Sequence, residues 1–162
     1  SAFVIGDNRN FDQDPRFGLC VLAEIASRAL SPAVNDAGTA IDVIGRSVRL
    51  LARWARFDDV DDSDIAYEHV WVPAIKVGDM FDDVFAPIAR DGAGTVEVQI
   101  RLQKAFAALV ATDKDKLGEP ARQHSMMALK RAELALTLQA DLQAVQAVAQ
   151  AESDDAATAT TR

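Results

Sequence analysis

The chain has 162 residues, enough for one domain or one domain with a tail. Hydrophobic residues make up 49% of it, so a core can form, and its formal charge of −8 argues against a general nucleic-acid binder, which needs an excess of Lys and Arg to meet phosphates. The single cysteine, Cys20, has no partner for an internal disulfide, which fits a reducing compartment.

Ser1 to Asp12 has no helical period and reads as an entering strand or arm. Asp14-Pro15 predicts a helix start, with Asp accepting from free amides and Pro suited to the first helical position. Helix 1 then runs from about Pro15 to Leu30, with Phe17, Val21, Ile25 and Ala29 expected inward from their spacing of four. Ser31-Pro32 repeats the signal and opens a turn through Asn35, Asp36 and Gly38. Helix 2 is expected from near Thr39 to Phe57, with Ile41, Ile44, Val48, Leu51 and Ala55 as its apolar stripe. Helices 1 and 2 are expected to pack antiparallel, burying Phe17, Ile25, Ile44 and Val48 together.

The segment 58–91 holds ten acids and two bases, so the excess negative charge is concentrated there. Its first part, Asp58 to Asp64, is an acidic loop, and Tyr67 to Val72 reads as a short strand or extended stretch. Helix 3 is expected over Val77 to Arg90 with Met80, Val84 and Ile88 inward, broken at Gly92-Ala93-Gly94. Val96, Val98, Ile100 and Leu102 alternate as in a strand, but no strand partner is nearby, so Thr95 to Thr112 is read as helix 4. One long helix 5 is expected from Glu119-Pro120 to Ala151, buried through Met127, Leu134, Leu138, Leu142 and Val145. The fold class is therefore all-α, a compact bundle of about five helices over residues 1–151. Residues 152–162 carry no large apolar side chain and read as a disordered tail.

No stretch approaches the ~20 apolar residues of a membrane span; the longest apolar run is Ala105 to Ala111. No secretory signal is visible, and the chain starts with Ser1 instead of Met, which reads as a piece of something longer.

Two polar runs flank helix 1: Phe11-Asp12-Gln13-Asp14-Pro15-Arg16-Phe17-Gly18-Leu19, and Arg28-Ala29-Leu30-Ser31-Pro32-Ala33-Val34-Asn35-Asp36 followed by Gly38-Thr39-Ala40. With Ile88-Ala89-Arg90-Asp91-Gly92-Ala93, they resemble the bacterial family of predicted membrane proteins called domain of unknown function 2254. The chain departs from that pattern at Ala37, where a proline is expected, and at Asp91, where an aromatic is expected. The resemblance implies a membrane-spanning region outside this chain as its partner. This chain would be the soluble part, on the cytoplasmic side, in a regulatory or assembly role. It implies no activity and no catalytic residues. The alternative is an enzyme with a carboxylate- or metal-based site.

The candidate ligand-binding residues are Arg9, Asp14, Arg16, Ser31, Asn35, Asp36 and Thr39, with Gln13 beside them. One reading makes them two separate capping turns. The other brings Arg9 back along helix 1 to Asn35-Asp36, forming a pocket for an anion or a partner. Arg46, Arg49, Arg53 and Arg56 form a basic stripe on helix 2, read either as a surface for acidic lipid headgroups or as a solvated face paired with the following acidic loop. That loop lacks the glycine and terminal acid of an EF-hand. His69 and His124 have no zinc-motif context. No metal and no cofactor is expected. Cys20 reads as a core or boundary thiol, and Trp54 and Trp71 as core anchors. The Ala/Gln-rich end of helix 5 outruns a small core, which predicts a homo-oligomer.

Overall fold

A computed structural model describes residues 9, 11, 14–57, 69 and 73–159, with side chains through residue 151. The expected strands fall almost wholly outside the described residues, as do the acidic loop and Trp71. Among the described residues there are six helices and no strand: α1 Pro15–Ala29, α2 Ala37–Ala55, α3 Val77–Asp91, α4 Val96–Thr112, α5 Gly118–Ala135 and α6 Gln139–Ala159. The first four follow the expected bounds to within a residue or two.

The single long C-terminal helix is the main correction. It is two helices, separated at Leu136-Thr137-Leu138, where Leu136 is extended (φ −80°, ψ 119°). The Leu138 carbonyl then accepts from the amides of Asp141 and Leu142, starting α6. Neither Gly nor Pro marks this break. Reversing the chain there lets α6 pack on both α4 and α5, and buries Val145. The backbone of α6 continues to Ala159, into the stretch whose composition predicts no structure.

α1 packs on α2 and α3, α2 on α4, α3 on α5, and α4 on α5 and α6. The core is aromatic at its centre. Phe81 and Phe85 of α3 lie 5.3 Å apart between ring centroids, and Phe85 meets Phe106 of α4 edge-on at 5.1 Å. Met80, Val84 and Ile88 are buried as expected, and so are Ile44, Leu51 and Ala55; Ile41, Val48 and Trp54 are half-buried against them. In α4 the buried positions are Val98, Leu102, Ala105, Phe106 and Leu109, a helical period.

Two inward faces differ from expectation. On α1 the buried residues are Leu19, Ala23, Ala26 and Ala29, while Ile25 is 46% exposed. A strict spacing of four drifts ~40° per step around a helix of 3.6 residues per turn. Alternating steps of four and three hold one face, and the alanines let α2 and α3 come close. On α5 the buried residues are Gly118, Ala121, Ala128 and Ala132, whereas Met127 and Leu134 face out, Leu134 at 90% exposure, and Leu138 in the following turn is exposed as well.

His124 of α5 sits against Phe81 and Phe106, with ring centroids 5.5 and 6.2 Å away. Burial pushes its imidazole below the ordinary histidine range, and Arg131 adds to this, while the exposed Asp82 carboxylate, 3.3 Å from Nε2, pulls the other way. The lowered affinity for a proton makes the Asp82 contact a hydrogen bond from a neutral ring near pH 7. The unfolded chain binds this proton more readily than the folded one. Stability is therefore expected to fall as pH drops through the unfolded histidine value of about 6.5. Thermal melts from about pH 7 to about pH 5 should show that loss in the wild type, and His124→Gln should flatten it. An identical pH slope in both proteins would refute the assignment.

Candidate functional site

Asp14 is extended and accepts from the Phe17 amide at 3.1 Å, with Pro15 in the first helical position, as read from the sequence. Arg9 folds onto this end of α1. Its Nε donates to Asp14 Oδ2 at 2.6 Å, its guanidinium lies 5.2 Å from the centre of the Phe17 ring, and Nη1 reaches Cys20 Sγ at 3.7 Å. The Arg9 guanidinium holds the Asp14 carboxyl below its ordinary range.

Arg16 points the other way, across to α3. Its Nε and Nη2 form a fork on Asp83, at 2.6 and 3.0 Å, and Nη1 donates to Asp79 at 2.9 Å. Asp83 keeps only 16% of its side chain exposed. Sequence reasoning missed both acids. The available signal was their i,i+4 spacing on a helix read only for its apolar stripe. Arg16 therefore ties the first motif to α3, and Arg16→Ala leaves two carboxylates facing each other. The half-exposed Asp79 pair contributes little, and the Asp83 fork most, so a loss of about 1–2 kcal/mol is expected in urea unfolding. Arg16→Lys should recover only part, because an ammonium cannot form the fork. Wild-type stability in Arg16→Ala would remove the bridge from the account.

At the far end of α1, Ser31 does not serve free amides as expected. Its hydroxyl donates to the Arg28 carbonyl at 2.7 Å, and its own carbonyl accepts from Val34 and Asn35. Asp36 is the cap of α2: Oδ1 accepts from the Thr39 amide at 3.0 Å and Oδ2 from the Thr39 hydroxyl at 2.6 Å. These bonds lower the Asp36 carboxyl from its ordinary value. Ala37 is the first helical position, a place that suits proline equally well. Asn35 adopts φ 51°, the one non-glycine residue with positive φ among those described.

Asn35 serves here through its backbone. Asn35→Ala should cost about 1 kcal/mol for the left-handed conformation, and Asn35→Gly should cost nothing. Thermal unfolding of the two variants decides it, and an alanine variant as stable as the glycine one would contradict this account.

The candidate residues thus form two clusters at opposite ends of α1, ~22 Å apart at 1.5 Å per residue. Arg9 does not return to Asn35-Asp36, so the reading with two separate turns matches the geometry and the alternative single pocket is not formed; Gln13 lies outside the described residues. Over the second turn lies a groove of about 420 Å³, lined by Val21, Glu24, Ile25, Arg28, Val34 and Asp36. Its apolar lining is open to solvent, with Ile25 46% and Val34 54% exposed, and Glu24, Arg28 and Asp36 add charge to the same lining. Among the described residues no group of three or more His, Cys, Asp or Glu is placed to hold a metal ion. No helix among them is long and apolar enough to cross a membrane.

The two polar turns lie around the first helix, on the runs that resemble a family of predicted membrane proteins in sequence. The chain belongs to that family, domain of unknown function 2254, whose profile matches residues 1–108. It is similar to uncharacterized proteins of Mycobacterium bovis and of two strains of Mycobacterium tuberculosis, each 43% identical over 72 residues. The match takes in 43% of this chain and spans only 14% of the length of each relative. No solved structure matches the chain.

Proposed function

We propose that this chain is the helical body, outside the bilayer and on the cytoplasmic side, of a bacterial membrane protein, and that it works without catalysis by docking on the membrane-embedded part to regulate or assemble it. One observation carries the reading: the family is one of predicted membrane proteins, yet no helix among the described residues can cross a membrane. The matched relatives are several times longer than the matched stretch, which leaves room for such a part elsewhere in the protein. The groove over the Ser31–Thr39 turn offers exposed apolar side chains beside charged ones, on the second of the two polar runs around α1. Second copies of the chain meet through the outward apolar residues of α5, Met127 and Leu134.

The test is to express this chain separately from the remainder of the full-length protein. The two are expected to co-purify in detergent, and Ile25→Asp with Val34→Asp to abolish this without changing the melting temperature. Absence of co-purification by the wild-type chain would sink the reading. A fluorescent protein fused after Arg162 should fluoresce, whereas an active alkaline phosphatase fusion would place the body on the opposite side. Light scattering should show more than one copy, reduced to one by Leu134→Glu; a wild-type monomer refutes the self-association.

A further inference from the structure

The basic stripe of α2 is not uniform. Arg46 is neutralised on its own helix by Asp42, Nε to Oδ2 at 2.7 Å. Arg49, one turn on, has no hydrogen-bonding or ion-pair partner among the described residues. Across the interface, α4 supplies a second arginine, Arg101, which the stripe read from α2 alone does not contain. Its Nε is buried with no hydrogen-bond partner.

The two guanidinium groups converge on Gly45. A Cβ at that position would stand 3.0 Å from Arg101 Nη2 and 3.7 Å from Arg49 Nη1. The two nitrogens are therefore no more than 6.7 Å apart. Gly45 is buried in the middle of α2, where glycine is a poor helix former. Its place there has a spatial reason: the missing side chain opens the α2 backbone to the Arg101 head.

The chain has 25 acidic residues against 17 basic ones, yet none of the described acids answers this pair. Two like charges this close, one of them partly withdrawn from water, repel each other. A single carboxylate would satisfy one guanidinium fork. A tetrahedral phosphate group presents oxygens to both, and arginine forks match phosphate geometry.

We propose that Arg49 and Arg101, over the bare backbone at Gly45, form a binding site for a phosphate group. The source is either a free phosphate compound or an anionic lipid headgroup; the chemistry of capture is the same. The proposal rests on the α2–α4 interface, independent of the docking groove on α1 and of membrane attachment.

The test uses the full 162-residue chain. Inorganic phosphate or pyrophosphate, compared with chloride at matched ionic strength, is expected to raise its melting temperature. Arg49→Gln and Arg101→Gln should each weaken binding about tenfold or more, the usual effect of losing a charged hydrogen-bond donor. Gly45→Ala should weaken it too while every charge is kept, because its Cβ takes the space of the Arg101 head. Arg46→Gln, whose arginine is already paired, should bind as the wild type does.

Sedimentation with vesicles identifies the source. Binding to phosphatidylglycerol vesicles but not to phosphatidylcholine ones, lost in Arg49→Gln and Arg101→Gln, assigns the site to a lipid headgroup. A response to soluble phosphate alone assigns it to a free ligand. No response to either, or wild-type binding in Arg49→Gln and Gly45→Ala, overturns the site. Arg49 is exposed on a helix surface, so its variant remains informative even if Arg101→Gln fails to fold.

Discussion

Replacing Phe85 by alanine is expected to destabilise the protein by about 3–5 kcal/mol, the usual cost of emptying a fully buried aromatic site. Phe85 is completely buried on α3 and touches both Phe81 and Phe106 at ring-centroid distances of 5.3 and 5.1 Å. Its removal takes away the link between the aromatic residues of α3 and α4. The neighbouring rings, Phe81 on α3 and Phe106 on α4, are themselves fixed in packed helices and cannot collapse fully into the gap, so a cavity term adds to the lost transfer energy. Lys104→Ala on α4 is the control, since an exposed surface side chain should change stability by no more than about 0.5 kcal/mol. Urea unfolding followed by circular dichroism gives both numbers. A Phe85→Ala loss no larger than that of the control would mean that this cluster is not the centre of the core.

Gly92→Ala comes next, with an expected loss of about 1–3 kcal/mol from overpacking. Gly92 ends α3 with φ −95° and ψ 15°, a backbone that other residues adopt freely, so conformational freedom is not the reason for glycine here. Space is. A Cβ would stand 2.6 Å from Val98 Cγ1 and 3.0 Å from the Ile88 carbonyl oxygen. Val98 is fully buried and stiff at χ1, so it cannot swing away. The same glycine offers its carbonyl to Gln99 Nε2 at 3.0 Å, which satisfies one end of a buried amide and fixes the approach of α4. The Gly92→Ala/Val98→Ala double variant should be more stable than the sum of the single losses predicts, because the second change makes room for the first. Strict additivity would show that the steric account is wrong.

The candidate site was legible in parts. Asp14 and Asp36 were readable as caps, because an acid before a helix start has one common use there. The partner of Arg16 was not: Asp79 and Asp83 lie 63 and 67 residues away along the chain. Nor was the meeting of Arg49 with Arg101, which depends on how α2 crosses α4.

By itself the sequence determined the helical class, the bounds of α1 to α4 and the inward faces of α2 and α3. Those follow from local signals, namely caps, glycine breaks and an apolar period that repeats within a single element. Family membership was equally legible, in the two polar runs around α1. The helix over residues 96–102 was legible too, although they alternate like a strand, because no strand partner was near, and in the fold Val98 and Leu102 meet the core. Only the tertiary structure decided that α1 and α5 bury alanines and turn larger side chains outward, because close approach between helices rewards small residues that no hydrophobicity pattern favours. It also decided the turn at Leu136-Thr137-Leu138, where no breaker residue stands: the gain is the packing of α6 on α4, and that contact lies far from the turn in sequence.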